Sequence, residues 1–469
     1  MIDHDLLKKA LAVAIGKGAD FADIFVEKSL YNWVSADDRK IETDLAAERG
    51  VGLRVVTGGR SYYAMTNSFE EAEILKLAAY VRDAAGGANK EIGVIDLRQK
   101  DLGWEHPFKI SAAQASAGPK ADIVKRAEQR AWETPHAVQA TVRYRDHERA
   151  VTLASTLNDS IISHTLGLTE FAVIVIVDKN GTRESGVFGR SFYGGLEKLE
   201  GKYAPEKIAA NAAEMATIML GAKDCPRGEM PVVFAPGDNG ILFHESCGHG
   251  MEADLVEKGS NFAGQMDKPV ASKLVTLVDD GTIPGYPGSF EYDDEGTPSQ
   301  NTVMIEKGIL KNYLHSAITA KKFGVQPTGS ARRESYKFPP IPRMRNTYIL
   351  AGESDPEDII KNTPHGLYAV ETGGGGQVNP ITGEFITSIK LGYLIQNGKI
   401  THPVRGASII GRGIDTLRNI DRVGSDLEIT YSPGRCGKGQ NVPVGVGMPT
   451  VRVKSLNVGG TGEAYEGGK

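Results

Sequence analysis

From about residue 270 to its end the chain is cut by glycine into short segments, and this constrains the fold more than any other feature. Apolar or alternating runs only a few residues long, separated by turn residues, fold as short strands. The second half is therefore expected to be strand-rich, with brief helices near 314–323, 355–361 and 413–420. Glycine supplies 56 of the 469 residues, enough for many turns and close backbone approaches.

The first half has a different texture. Leu6, Leu7, Ala10, Leu11, Ala14 and Ile15 recur at helical spacing and stop at Gly16 and Gly18, which predicts a helix over 3–15. "ADIFVEK" (22–28), "YNWVSA" (31–36), "GVGLRVV" (50–56) and "RSYYAMT" (60–66) read as a meander, followed by a helix to about 85 that Ser68 and Glu71 would open as a capping box. A helix over about 119–132 precedes a second strand series, "HAVQATVRYR", "ERAVTLAST" and "TEFAVIVIV". An alanine-rich helix near 205–221 would then link two domains. Strands and helices come in runs rather than strict alternation, so the fold class is α+β. At about three times the usual domain length the chain has room for two cores. The expected division is an N-terminal α+β domain, 1–200, and a strand-rich C-terminal domain, 201–469, carrying the site.

Fifty-four basic against 59 acidic residues leave a net charge of −5 with no lysine/arginine run, which argues against a dedicated nucleic-acid or anionic-membrane binder. The longest apolar run, "FAVIVIV" at 171–177, is too short to span a bilayer. "MIDHDLL" at the start carries acids where a secretion signal needs positive charge, so a cytoplasmic location is expected. Cys225, Cys247 and Cys436 are too few for a disulfide framework and fit a reducing compartment, each being either packing or chemistry.

Chemistry concentrates in "FHESCGHG", 243–250. In the common H-E-x-x-H zinc motif the histidines are four residues apart on one helix face and the glutamate is a general base. Here His244 and His249 are five apart, about 140° around a regular helix. One turn of π-helix absorbs the extra residue and restores the shared face, and Gly248 is where helical geometry distorts most easily. "PGDNG" upstream would supply a turn with Asp238 or Asn239 as cap, letting Ile241, Leu242 and Phe243 pack while His244 and Glu245 face a cleft. Two ordinary histidines at a helix end remain the alternative. Cys247, three residues after His244, is either a fourth ligand or a small buried hydrophobe. Other candidates are weaker: "TGGGGQ" (372–377) and "GRCGKGQ" (434–440) lack the phosphate-loop order and read as turns, and Ser246 has no nucleophile elbow. "YDDEG" (292–296) would form a solvated turn or a calcium loop.

Nearly the whole chain resembles the TldD/PmbA family of zinc-dependent peptidases. The matching stretches include "GADFADIFVE" (18–27), "GVGLRVVTGGRSYYAMTN" (50–67), "HESCGHGMEAD" (244–254) and "DDGTIPGYPGSFEYDDEGTPSQ" (279–300). They continue with "PIPRMRNTYILAG" (340–352), "GGGGQVNPITGEF" (373–385) and "CGKGQNVPVGVGMPTVRV" (436–453). The resemblance implies His244, His249 and Cys436 as zinc ligands and Glu245 as general base, in the catalytic branch of the family. Gly434, Gly437 and Gly439 fit a tight loop that aims the Cys436 sulfur at the metal. Glu252 and Asp254 match family positions without an assigned role. The resemblance further implies unfolded or small polypeptides as substrate, bound in extended form. It also implies a dimer, either a homodimer or a pair with a non-catalytic relative. Two other readings stay open: a non-catalytic peptide-binding or scaffolding subunit, and a closed structural zinc with Cys247 as fourth ligand.

Overall fold

The computed structural model describes residues 2–16, 18–87, 95–103, 110–111, 115–373, 376–431 and 434–465. Helix α1 (His4–Ala14) is followed by strands β1 (Phe21–Asp37), β2 (Lys40–Thr57) and β3 (Arg60–Thr66), then by α2 (Glu71–Ala84). A two-residue strand β4 (Arg98–Gln99) precedes α3 (Ala117–Trp132). Strands β5 (Ala137–Ser155), β6 (Ser160–Lys179) and β7 (Thr182–Tyr193) and helix α4 (Pro205–Leu220) complete this half. The seven strands make one sheet, ordered β3-β2-β1-β5-β6-β4 with β7 also on β6.

Alternation along β1 explains how the sheet is covered. Ala22, Ile24, Val26, Val34 and Ala36 are buried on one face, the first three in a core with α1 and α2 and the last two in a core with α3 and α4. Asp23, Phe25 and Glu27 alternate onto the opposite face and are buried too. There the second half of the chain covers them. Asp23 pairs with Arg54 across the β1–β2 ladder and with Arg333, and Arg54 also reaches Glu295 at 2.8 Å. Glu27 accepts the Tyr336 backbone N–H at 2.7 Å. Removing any one partner would leave a buried charge uncompensated, so this cluster locks the two halves in one register. "FAVIVIV" behaves likewise: Phe171, Val173, Val175 and Val177 are fully buried in the core with α3 and α4.

In the second half, one sheet of six strands runs 309–310, 301–306, 277–280, 346–349, 445–448 and 428–430. A nine-stranded sheet closes part of itself into a ring: 365–372 pairs with 228–234, then 451–459, 408–412 and 384–396, which pairs back onto 365–372. A single large core joins the two sheets. No helix among the described residues is long and apolar enough to cross a membrane.

The α+β class and the strand-rich second half are as expected, and its brief helices lie at Ala317–Phe323, Pro356–Lys361 and Gly413–Arg418. Several expectations need correction. Segments 22–28 and 31–36 are one strand, because the hairpin turn falls at Asp38 and Arg39, both with positive φ. The 136–145 and 148–156 segments likewise merge into β5. Ser68 does not cap α2; Glu70 holds that position and the Ser68 hydroxyl accepts the Glu70 N–H instead. Helix α4 packs on the N-terminal sheet, burying Ile208, Ala209, Ala212 and Ala216 there. "YDDEG" is neither solvated nor a calcium loop, since Asp293, Asp294 and Glu295 are buried on backbone N–H groups and arginines. The glycine-rich end is docked as far as 465, with Tyr465 N–H donating to Arg227 O. Gly374 and Gly375 of "TGGGGQ" and residues 466–469 lie outside the described residues.

Candidate metal centre

Strand 228–234 delivers the chain to the junction of the two C-terminal sheets, where "PGDNG" turns it. Gly240 is required there: a Cβ would lie 2.6 Å from the Gly447 carbonyl oxygen on the adjacent strand. Neither Asp238 nor Asn239 caps a helix. The Asn239 amide donates to the Ala235 and Ala369 carbonyls and accepts the Thr372 N–H, fastening the turn to strand 365–372. Leu242 and Phe243 are buried, Ile241 less so.

Residues His244–Gly248 then form one turn of π-helix, with the His249 N–H donating to the His244 carbonyl five residues back. That single wide turn is the remedy the spacing called for. It brings the two imidazoles to a centroid separation of 5.5 Å, edge to face. Cys436 arrives from the far end of the sequence on a hairpin, Arg435–Gly437 against Asn441–Pro443, turned through Gly439 at positive φ. Its Sγ lies 3.2 Å from His249 Nε2. Ligand atoms of His244, His249 and Cys436 all fall within 4.8 Å of one another, and all three residues are buried.

The donor set fits a metal. Among the described residues neither ring nitrogen of buried His244 has a hydrogen-bond partner, an expensive state for an imidazole unless something coordinates it. Glu252, fully buried, takes His249 Nδ1 at 2.9 Å, which orients the ring and leaves Nε2 facing Cys436. Two imidazoles and one thiolate are zinc ligands, and three protein ligands leave a position open. The electrostatics agree. Burial opposes ionisation of the Cys436 thiol, yet His244 and His249 beside it hold its pKa well below the usual range. Burial likewise opposes a charged His249, but Glu252 and Cys436 outweigh it and raise that pKa. Cys247 is placed elsewhere. Its thiol is in the core, 3.5 Å from the Ser246 hydroxyl, and burial pushes its pKa up to about 12. Ser246 donates to the Leu242 carbonyl.

Glu245 is one-third exposed, with Oε2 3.8 Å from His249 Nε2, so it borders both the ligand cluster and solvent. Two residues that the motif alone does not reveal dock the hairpin. Arg343 donates to the Cys436 and Gln440 carbonyls, while Lys438 bridges Glu252 at 2.9 Å and Asp254 at 2.8 Å. Glu252 and Asp254 thus have structural partners: the first fixes His249, the second holds Lys438. Only the lysine and arginine types in 340–352 and 436–440 hinted at this, and a charge by itself does not say what it touches.

Fold and site together define an α+β protein with a buried two-histidine, one-cysteine centre beside an accessible glutamate. The chain matches the PmbA/TldA metallopeptidase domain 1 over residues 22–85, the central domain over 110–220 and the C-terminal domain over 227–460. It is 37% identical to a Haemophilus influenzae protein named metalloprotease TldD homolog, over 95% of this chain and 94% of that one. A Saccharolobus solfataricus relative named zinc metalloprotease TldD homolog is 27% identical over 94% and 97%. Among solved structures, TldE from Thermococcus kodakarensis superposes with a TM-score of 0.73 at 18% identity, covering 97% of this chain and 99% of that one, a likeness of fold. The chain belongs to the PmbA/TldD metallopeptidase family.

Proposed function

We propose that the protein is a zinc-dependent peptidase that hydrolyses unfolded or small polypeptides bound in extended form. The observation that supports it most is the restored face of the π-turn: His244, His249 and the distant Cys436 meet in a buried cluster, while Glu245 stays at its open side. Zinc held by these three residues would supply Lewis acidity to the scissile carbonyl and to water. Glu245 then takes the proton of the attacking water and passes it to the leaving amine, the role its partial exposure suits. Glu252 keeps His249 in one tautomer throughout, and Arg343 and Lys438 keep the Cys436 hairpin against it. Cleavage of extended chains, a dimeric working form and a cytoplasmic location belong to this reading as well. A non-catalytic scaffolding role is disfavoured by the retention of Glu245 at a cluster that binding alone would not need.

Glu245→Gln preserves shape and hydrogen bonding but accepts no proton. Peptide hydrolysis by this variant should fall by roughly 10²–10⁴-fold while zinc content and melting temperature stay at parental values. Parental turnover with zinc bound would refute the peptidase reading and leave the scaffold.

A further inference from the structure

On the face of the Cys436 hairpin turned away from the ligand cluster lies a cavity of about 80 Å³, between that hairpin and the N-terminal sheet. Successive strand residues point to opposite faces, so Cys436 faces His249 while Arg435 faces this cavity and Glu170 of β6. Arg145 and Arg149 of β5 line it together with Arg332, Arg333 and Arg435.

These guanidinium groups are incompletely used. Arg145 Nε, Arg149 Nη2, Arg333 Nε and Nη1, and Arg435 Nε are buried and have no hydrogen-bond partner among the described residues, and Arg333 is 1% exposed. Carboxylates are present, but they are already shared. Glu170 serves both Arg435 at 3.0 Å and Arg145 at 3.7 Å, and Glu27 serves Arg149 and two other donors. Asp23 serves Arg54 and Arg333, Asp294 accepts the Arg333 N–H, and Glu334 accepts the Asn441 N–H. Arg332 donates to the Met344 and Pro443 carbonyls. Surplus positive potential shows in the neighbours: burial together with Arg149, Arg435 and Arg145 pushes the His147 pKa down to about 2. The rest of the lining is mixed, with Leu166, Leu168 and Phe290 forming an apolar patch beside His147, His164 and Asn441.

We propose that this cavity binds a carboxylate joined to an apolar group, as at the C-terminal end of a short peptide or in an amino acid released from one. Planar guanidinium forks match a carboxylate bidentately, and the apolar patch takes the adjoining side chain. A cavity of this size has room for a carboxylate group, with the adjoining apolar group against the Leu166, Leu168 and Phe290 patch at its edge. The site is separate from the metal ligands and does not depend on the peptidase reading.

The test uses the full-length Glu245→Gln chain, with and without zinc, and isothermal titration with N-acetyl-leucine, N-acetyl-leucinamide, free leucine and inorganic phosphate. N-acetyl-leucine should bind saturably, with the neutral amide about tenfold weaker or more. Arg145→Gln and Arg435→Gln, each leaving Glu170 one arginine partner, should weaken N-acetyl-leucine about tenfold with unchanged melting temperatures. Preference for N-acetyl-leucine over free leucine assigns the site to chain ends, and equal affinity extends it to released amino acids; both support the site. Equal binding of acid and amide, binding indifferent to both arginine variants, phosphate binding as tightly as the acid, or no saturable binding up to about 10 mM would each overturn it. Hydrolysis by the parental chain is read separately, so a failure here leaves the peptidase reading standing.

Discussion

The π-turn 244–248 and the hairpin 435–443 each carry one buried cysteine, and the two thiols have opposite fates. Cys247 lies beside the histidines in sequence but packs in the core, where burial pushes its pKa up to about 12. Cys436 is distant in sequence but lies 3.2 Å from His249, with its pKa held well below normal by the two imidazoles despite burial. Burial is nearly the same at 0% and 1%, so the neighbouring charge decides. The extra residue in the π-turn is what separates the pair: it turns both histidines to one side and leaves Cys247 on the other.

The sharpest way to break this contrast is to remove each sulfur in turn. Cys436→Ala should weaken zinc binding by more than about 100-fold, beyond the 10–100-fold typical of losing an outer hydrogen-bond partner. Cys247→Ala should keep full metal content and lose about 1 kcal/mol of stability through a small cavity. Release of zinc by the second variant alone would reverse the assignment and favour a closed structural site.

Much of this was legible in the sequence, for identifiable reasons. Five-residue spacing plus Gly248 called for a π-turn, because helix geometry permits few ways to reunite two side chains 140° apart. Short glycine-bounded segments called for short strands. Long strands were split or cut short because β1 and β2 carry polar residues such as Asn32 and Glu42 along their outer hairpin, where ladder pairing rather than periodicity sets the extent. The buried faces of Asp23, Glu27 and "YDDEG" were illegible for a deeper reason: carboxylates look solvated until the arginines that bury them, Arg54 and Arg333, arrive from elsewhere in the fold. Glu252, Arg343 and Lys438 were hidden in the same way.

A subtler perturbation sharpens the comparison from the histidine side. Glu252→Gln keeps a hydrogen bond to His249 but removes the charge, so zinc affinity should fall about 10–100-fold with Cys436 still bound. Unchanged affinity in competition with a chromophoric chelator would strip Glu252 of its orienting role.

Smaller still is the titration of the thiols themselves. In metal-free protein the two imidazoles bring ionisation of the Cys436 thiol to lower pH than that of an ordinary thiol, whereas burial pushes the Cys247 pKa up to about 12. The first thiolate ultraviolet absorbance to appear as pH is raised should therefore be lost in Cys436→Ala and persist in Cys247→Ala. An early absorbance step that survives Cys436→Ala would contradict the assignment of the lowered pKa.

The most direct measurement is zinc-edge X-ray absorption on the fully loaded protein. The expected spectrum has one sulfur at about 2.3 Å and two imidazole nitrogens at about 2.0–2.1 Å, with a light-atom scatterer completing four-coordination. The sulfur should disappear in Cys436→Ala reloaded at high zinc and remain in Cys247→Ala. Two sulfurs in the parental spectrum, or a sulfur that survives Cys436→Ala, would contradict a centre built from His244, His249 and Cys436.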